Sequence, residues 1–213
     1  MSKKLAAITF LVLAVAVVIG RASDAHGGTA TWDMTRSAAW SSYLLLWASV
    51  ITGVGVNLRF HPGVGKQALV FEIHRMTGTL GLTVALVHGF ALLLDRYLTF
   101  HVWDIFVPLT SDYRPVQVGL GVLALWLVLA ILLSTWFAGW VPKATWRAIH
   151  YLSYPAFALA LLHGITAGSD TQHWPTHVIY SLTVGSLLGA VFLRFVAHDW
   201  VETARHAAGH HGP

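Results

Sequence analysis

Ala148-Ile-His-Tyr-Leu-Ser-Tyr-Pro-Ala-Phe-Ala-Leu-Ala-Leu-Leu-His-Gly164 is an apolar stretch with a histidine near each end, His150 and His163. A second stretch, Ile73 to Gly89, repeats the arrangement with His74 and His88. Both open on Ile-His. They close on nearly the same word, Ala85-Leu-Val-His-Gly89 and Ala160-Leu-Leu-His-Gly164. Ionisable groups inside apolar helices are costly and tend to be retained for function, so two matched pairs demand a chemical explanation.

The rest of the chain supplies the setting. Of 213 residues, 56% are hydrophobic and 10% charged, a balance suited to a polytopic membrane protein rather than a soluble domain. There is no cysteine, which excludes disulfides, thiolate haem ligation, zinc–cysteine sites and iron–sulfur clusters. Thirteen histidines against six tyrosines favour metal or proton chemistry. The net charge of +4 does not form a basic patch; the cations sit at the ends of apolar segments, so no nucleic-acid partner is expected.

Six segments approach the ~20 residues a helix needs to cross the hydrocarbon core: 5–20, 38–56, 69–94, 116–138, 148–167 and 178–197. The expected fold is an all-α membrane protein, a six-transmembrane-helix bundle. The first segment follows Lys3-Lys4 and is read as a retained helix rather than a cleaved signal, because its apolar run is long for a signal core. Charge sets the orientation. With both termini in the cytoplasm, nine cations lie inside (Lys3, Lys4, Arg59, Lys66, Arg75, Lys143, Arg147, Arg194, Arg205) and four outside (Arg21, Arg36, Arg96, Arg114). Trp40 and Trp174 at outer ends, and Trp136, Trp140, Trp146 and Trp200 at inner ends, read as interfacial anchors in the cell membrane.

In that topology the third and fifth segments run in the same direction. His74 and His150 then lie at the inner level, His88 and His163 at the outer. Steps of 14 and 13 residues along a helix rise about 21 and 20 Å, so the two pairs sit at matching heights. Two facing imidazoles at each level can clamp a haem, His74 with His150 and His88 with His163. Filling both axial positions suits electron transfer. One detail needs help: 13 residues turn His163 well off the face of His150 on a regular helix. Pro155, midway, removes a backbone donor and is expected to kink the helix and re-aim its outer half. Gly78, Gly81, Gly89 and Gly164 are candidates for close approach of a macrocycle, or for helix packing.

Further assignments follow position. Arg75, Lys143 and Arg147 fall where inner propionates would want cations, and Arg96 and Arg114 where outer ones would, although all five also serve topology. Phe157 lies between the two levels, as packing or as a bridge across the gap. The loop 95–115, with Trp103, Asp104, Phe106 and Asp112, is expected to fold over the outer end. His61, His101, His173, His177 and His198 fall in loops or at helix ends, with His101 or His173 candidates for the external exit. His206, His210 and His211 belong to a polar tail.

These residues resemble the ferric reductase-like transmembrane domain, shared by ferric reductases, NADPH oxidases and the haem-bearing membrane subunit of bacterial periplasmic methionine sulfoxide reductase. That family carries two histidines on its third helix and two on its fifth, here His74, His88, His150 and His163. The resemblance divides the chain into an N-terminal helix and loop (1–37), a haem domain (38–197) and a short tail (198–213). It implies two haem b groups and electrons passing from a cytoplasmic or membrane donor to an external acceptor. Only sixteen residues follow position 197, too few for the flavin and nicotinamide domains of larger members. A separate donor protein, a membrane quinol, or a flavin on a partner or at the cytoplasmic face is therefore expected. Two readings compete with the ferric reductase-like conduit: a haem-bearing subunit of a multi-subunit reductase or dehydrogenase, such as a methionine sulfoxide reductase system, and a haemless histidine-dependent proton or ion transporter.

Overall fold

The computed structural model describes residues 29–58, 66–95 and 98–209. The segment 5–20 lies outside them, as do Arg59, His61, Arg96, His210 and His211. All regular structure in the described residues is helical: α1 (Thr29–Leu58), α2 (Lys66–Leu92), α3 (Val102–Phe106), α4 (Pro115–Trp136), α5 (Lys143–Tyr151), α6 (Ser153–Ala167) and α7 (Trp174–Gly209). Four spans are long and apolar enough to cross a bilayer: Thr31–Val56, Pro115–Trp136, Lys143–Ala167 and Trp174–Arg194. The protein is membrane-embedded. Helix α2 is as long as the others but is not among the four, because Glu72, Arg75 and its two histidines lower its hydropathy.

Three boundaries differ from the sequence reading. Helix α1 begins at Thr29, so positions 29–37, expected in a loop, are helical. Helix α7 continues to Gly209, so most of the expected tail is helical as well. The fifth segment is two helices, broken at Leu152 rather than midway. The cause is still Pro155. A proline has no N–H for the carbonyl four residues back, here Tyr151, and its ring crowds that carbonyl. The ladder tightens instead, with the Leu152 N–H donating to Ile149 O at 3.0 Å, and restarts when the Ala156 N–H donates to Leu152 O at 2.9 Å.

Packing follows small and hydroxyl side chains. Thr31, Thr35, Ala38, Ser42 and Ser49 recur at helical spacing on the buried face of α1, against Thr79, Thr83 and the glycines of α2. Thr35 and Thr83 donate to the carbonyls four residues back, at 3.0 Å each, so the stripe buries no unmet hydroxyl. Cross-links then tie α1 to its neighbours: Ser42 Oγ to Gly81 O at 3.2 Å, Tyr43 Oη to Thr183 Oγ1 at 2.6 Å, and Trp47 Nε1 to Ser186 Oγ at 3.0 Å. The apolar core is Leu82, Val128, Ile131 and Ala156, with Leu46 against it. Leu82 and Ala156 each lie about halfway between the histidines of their own segments, so this core forms an apolar layer separating the two levels.

The loop 95–115 does cover one end. Ile105 packs on Gly89, and Phe106 packs between Phe90 and Trp126 while its carbonyl accepts the Trp126 indole N–H at 2.7 Å. Asp104 is buried and caps α3 through the His101 N–H at 2.8 Å, whereas Trp103 and Asp112 face outward. The loop turns into α4 through Arg114, whose positive φ of 45° precedes Pro115 at the first helical position.

Candidate cofactor site between the histidine pairs

The structure brings the four histidines together in the expected combinations. His74 (α2) and His150 (α5) have ring centres 5.9 Å apart, and His88 (α2) and His163 (α6) 6.2 Å, with the rings steeply inclined in both pairs, at 68° and 69°. The break at Leu152 places His150 and His163 on separate helices.

Three of the four rings are anchored from behind. His74 Nδ1 donates to Ser49 O at 2.7 Å, His88 Nδ1 to Thr35 O at 3.0 Å, and His163 Nδ1 to Gln117 O at 2.8 Å. A carbonyl oxygen can only accept, so each Nδ1 must carry the proton. Nε2 on the other side of the ring is left with its lone pair, the tautomer in which histidine binds metals. His150 differs: its ring stacks on Trp146 at 4.9 Å between centres, and its buried Nδ1 has no hydrogen-bond partner among the described residues.

Two glycines that sequence reasoning did not single out make room for these rings. A Cβ on Gly121 (α4) would lie 2.9 Å from the His163 ring, and one on Gly53 (α1) 3.0 Å from the His74 ring. Both are on helices that carry no ligand candidate, so nothing in the sequence tied them to the histidines. Of the glycines that were singled out, Gly89 and Gly164 line the cavity around His88 and His163, and each of the four also faces a neighbouring side chain. Gly78 faces Ser49, Gly81 faces Leu46, Gly89 faces Ile105 and Gly164 faces Tyr180.

A cavity of about 240 Å³ opens around the outer pair, reached by His88, His163, Arg36, Trp40, Asp170 and Tyr180. Its rim is held by a bidentate ion pair: Arg36 Nη2 lies 2.6 Å from Asp170 Oδ1 and Nε donates to Oδ2 at 3.0 Å, joined by the Trp40 indole at 3.4 Å. Burial would push the Asp170 carboxyl up, but hydrogen bonds from Arg36 and Trp40, with the charge of Arg36, outweigh it and hold the group below the usual carboxylate range. Trp40 stacks on Tyr180, and Tyr43 on the buried Phe157 at 5.4 Å, so aromatic rings run from this rim to the layer between the levels.

The propionate candidates fare unevenly. Arg75 is exposed and pairs with Glu72 at 3.1 Å, and Lys143 and Arg147 are exposed. Arg114 is turned to Thr166 O at 2.8 Å and does not line the cavity, whereas Arg36, read only as a topology residue, does. His101 and His173 are exposed, with His101 Nδ1 3.6 Å from Asp104. Trp40 and Trp146 pack onto the site, while Trp140 and Trp174 are 90% and 76% exposed.

The donor set fits a haem. Two imidazoles that each reached an iron at the ~2 Å usual for metal–imidazole bonds would have ring centres roughly 6 Å apart, as both pairs do. No cluster of three or more metal-ligating side chains occurs among the described residues. Fold and site define a class: an all-helical membrane protein with two facing histidine pairs stacked along its core. Among known proteins, the chain aligns over 147 positions, covering 66% of its length, at 33% identity with the protein-methionine-sulfoxide reductase heme-binding subunit MsrQ of Xanthomonas axonopodis pv. citri (strain 306). The chain spans 61% of that relative's length. No family model and no solved structure matches the chain.

Proposed function

We propose that this chain is the haem-binding membrane subunit of a reductase system of the methionine sulfoxide reductase kind, carrying electrons across the membrane between two bis-histidine sites. The likeness to MsrQ favours a subunit that serves a separate reductase over a self-sufficient ferric reductase. The observation that carries the reading is the facing of two histidine pairs at about 6 Å, with Nδ1 of three of the four rings donating to a carbonyl so that Nε2 is left bare.

Haem, when bound, supplies one-electron transfer, and imidazole on both faces favours that over ligand activation. The chain's own residues do the rest. Ser49, Thr35 and Gln117 hold the rings in orientation through their carbonyls. Gly53 and Gly121 let neighbouring helices close behind those rings. The Leu82–Val128–Ile131–Ala156 layer excludes water between the levels, and Phe157 occupies the gap with a polarizable ring. A donor protein or membrane quinol would meet the His74–His150 end, and the partner reductase the end covered by α3.

The test is a reduced-minus-oxidised absorption spectrum of the detergent-purified protein, with haem quantified against protein. Two low-spin b-type haems per chain are expected. One haem means that one pair is not a ligand pair. A colourless protein, expressed with haem supplied, overturns the proposal.

A further inference from the structure

The two histidine pairs are alike in spacing and differ at one atom. His88 and His163 both donate from Nδ1 to main-chain carbonyls, and so does His74. His150 Nδ1 is buried and has no such partner among the described residues. An acceptor behind a ligating histidine selects the tautomer that leaves Nε2 bare, and it strengthens Nε2 as a donor. His150 has neither advantage. Its orientation comes from Trp146, stacked at 4.9 Å and nearly parallel at 24°, itself steadied by an indole hydrogen bond to Thr135 Oγ1 at 3.3 Å. The backbone adds to the difference. His150 is the penultimate residue of α5, a nine-residue helix that ends at the Leu152 break before α6.

Resting on the haem reading above, we infer that His150 is the one replaceable axial ligand. The inner centre is a binding site for a small neutral donor molecule, of the carbon monoxide or imidazole class, which takes the position that His150 vacates. The outer centre is closed to such ligands. Trp146 is a positioning residue that holds His150 on by stacking, in place of the hydrogen bond the other three rings possess.

The experiment uses the full-length, haem-loaded protein in detergent, reduced with dithionite and titrated with carbon monoxide while the Soret band is followed. Roughly half of the haem should respond, since one of two bis-imidazole centres opens. Trp146→Ala should tighten the apparent affinity for carbon monoxide about tenfold or more, the usual size of an outer-shell loss at a metal–histidine site, whereas Trp146→Phe should behave as wild type. His150→Gly protein, which should lose the inner haem, should regain it with its low-spin signal when haem and imidazole are both supplied. No response to carbon monoxide, equal response by all the haem, or a Trp146→Ala protein titrating as wild type would each overturn the inference while leaving the haem reading intact. A wild-type preparation without haem would overturn the haem reading itself. Should Trp146→Ala fail to fold, the wild-type titration and the His150→Gly rescue decide alone.

Discussion

The two ends of the bundle were built from one sequence word and finished differently. At the outer end, both rings are bolted to carbonyls, α3 folds over the top, and the Arg36–Asp170 pair clasps the rim of a defined cavity. At the inner end, one ring is bolted and the other leans on an indole beside a helix break. A ligand's identity and spacing therefore say less about its behaviour than what stands behind it. The His88–His163 end is held by carbonyls behind both rings, the His74–His150 end behind one.

The comparison breaks most completely at the ligands. His88→Ala or His163→Ala should remove the outer haem and His74→Ala or His150→Ala the inner, each halving haem per protein in a pyridine haemochrome assay. Full haem content after any one of them would strike that residue from the set. Gly121→Val comes next. Its Cβ alone would meet the His163 ring at 2.9 Å, and such overpacking costs about 1–3 kcal/mol. We expect loss or distortion of the outer signal with the inner one spared, and the mirror result for Gly53→Val. Equal damage at both levels would mean the helices move as a block.

Smaller and pH-dependent effects should follow at the rim. The Asp170 carboxyl is held below its ordinary value, so the Arg36 pair contributes stability that is fully present above the unfolded-state pKa and is lost as pH falls through the lower folded value. Thermal unfolding in detergent should thus show a lower midpoint on acidification below the ordinary carboxylate range. Asp170→Asn should flatten that dependence; an unchanged profile would show the clasp to be idle. The least effect is expected of Pro155→Ala, which restores a donor for Tyr151 O. Total haem should hold while the inner spectrum alone shifts, and a change in the outer spectrum would mean that the break governs both levels.

Much of this was legible from residues alone. Matched Ile-His and His-Gly words at 14 and 13 residues placed four histidines in two tiers, and Pro155 marked where regular phase had to fail. The proline's effect emerged at Leu152 because a proline acts on the carbonyl four residues before it. Less legible were partners contributed by main chain or by absence: the carbonyls of Thr35, Ser49 and Gln117 leave no mark on side-chain identity, and Gly53 and Gly121 sit on helices without ligands. The rim pair of Arg36 and Asp170, 134 positions apart, had no local pattern to betray it.

The sequence by itself thus determined that the chain lives in a membrane, that it is helical, and which imidazoles share a height, because hydropathy and helical rise are properties of a segment taken alone. The tertiary structure decided which nitrogen three of the four rings offer and what stands behind each ring. Those depend on what a neighbouring helix presents at a distance of about 3 Å, and that is settled only when the helices have packed.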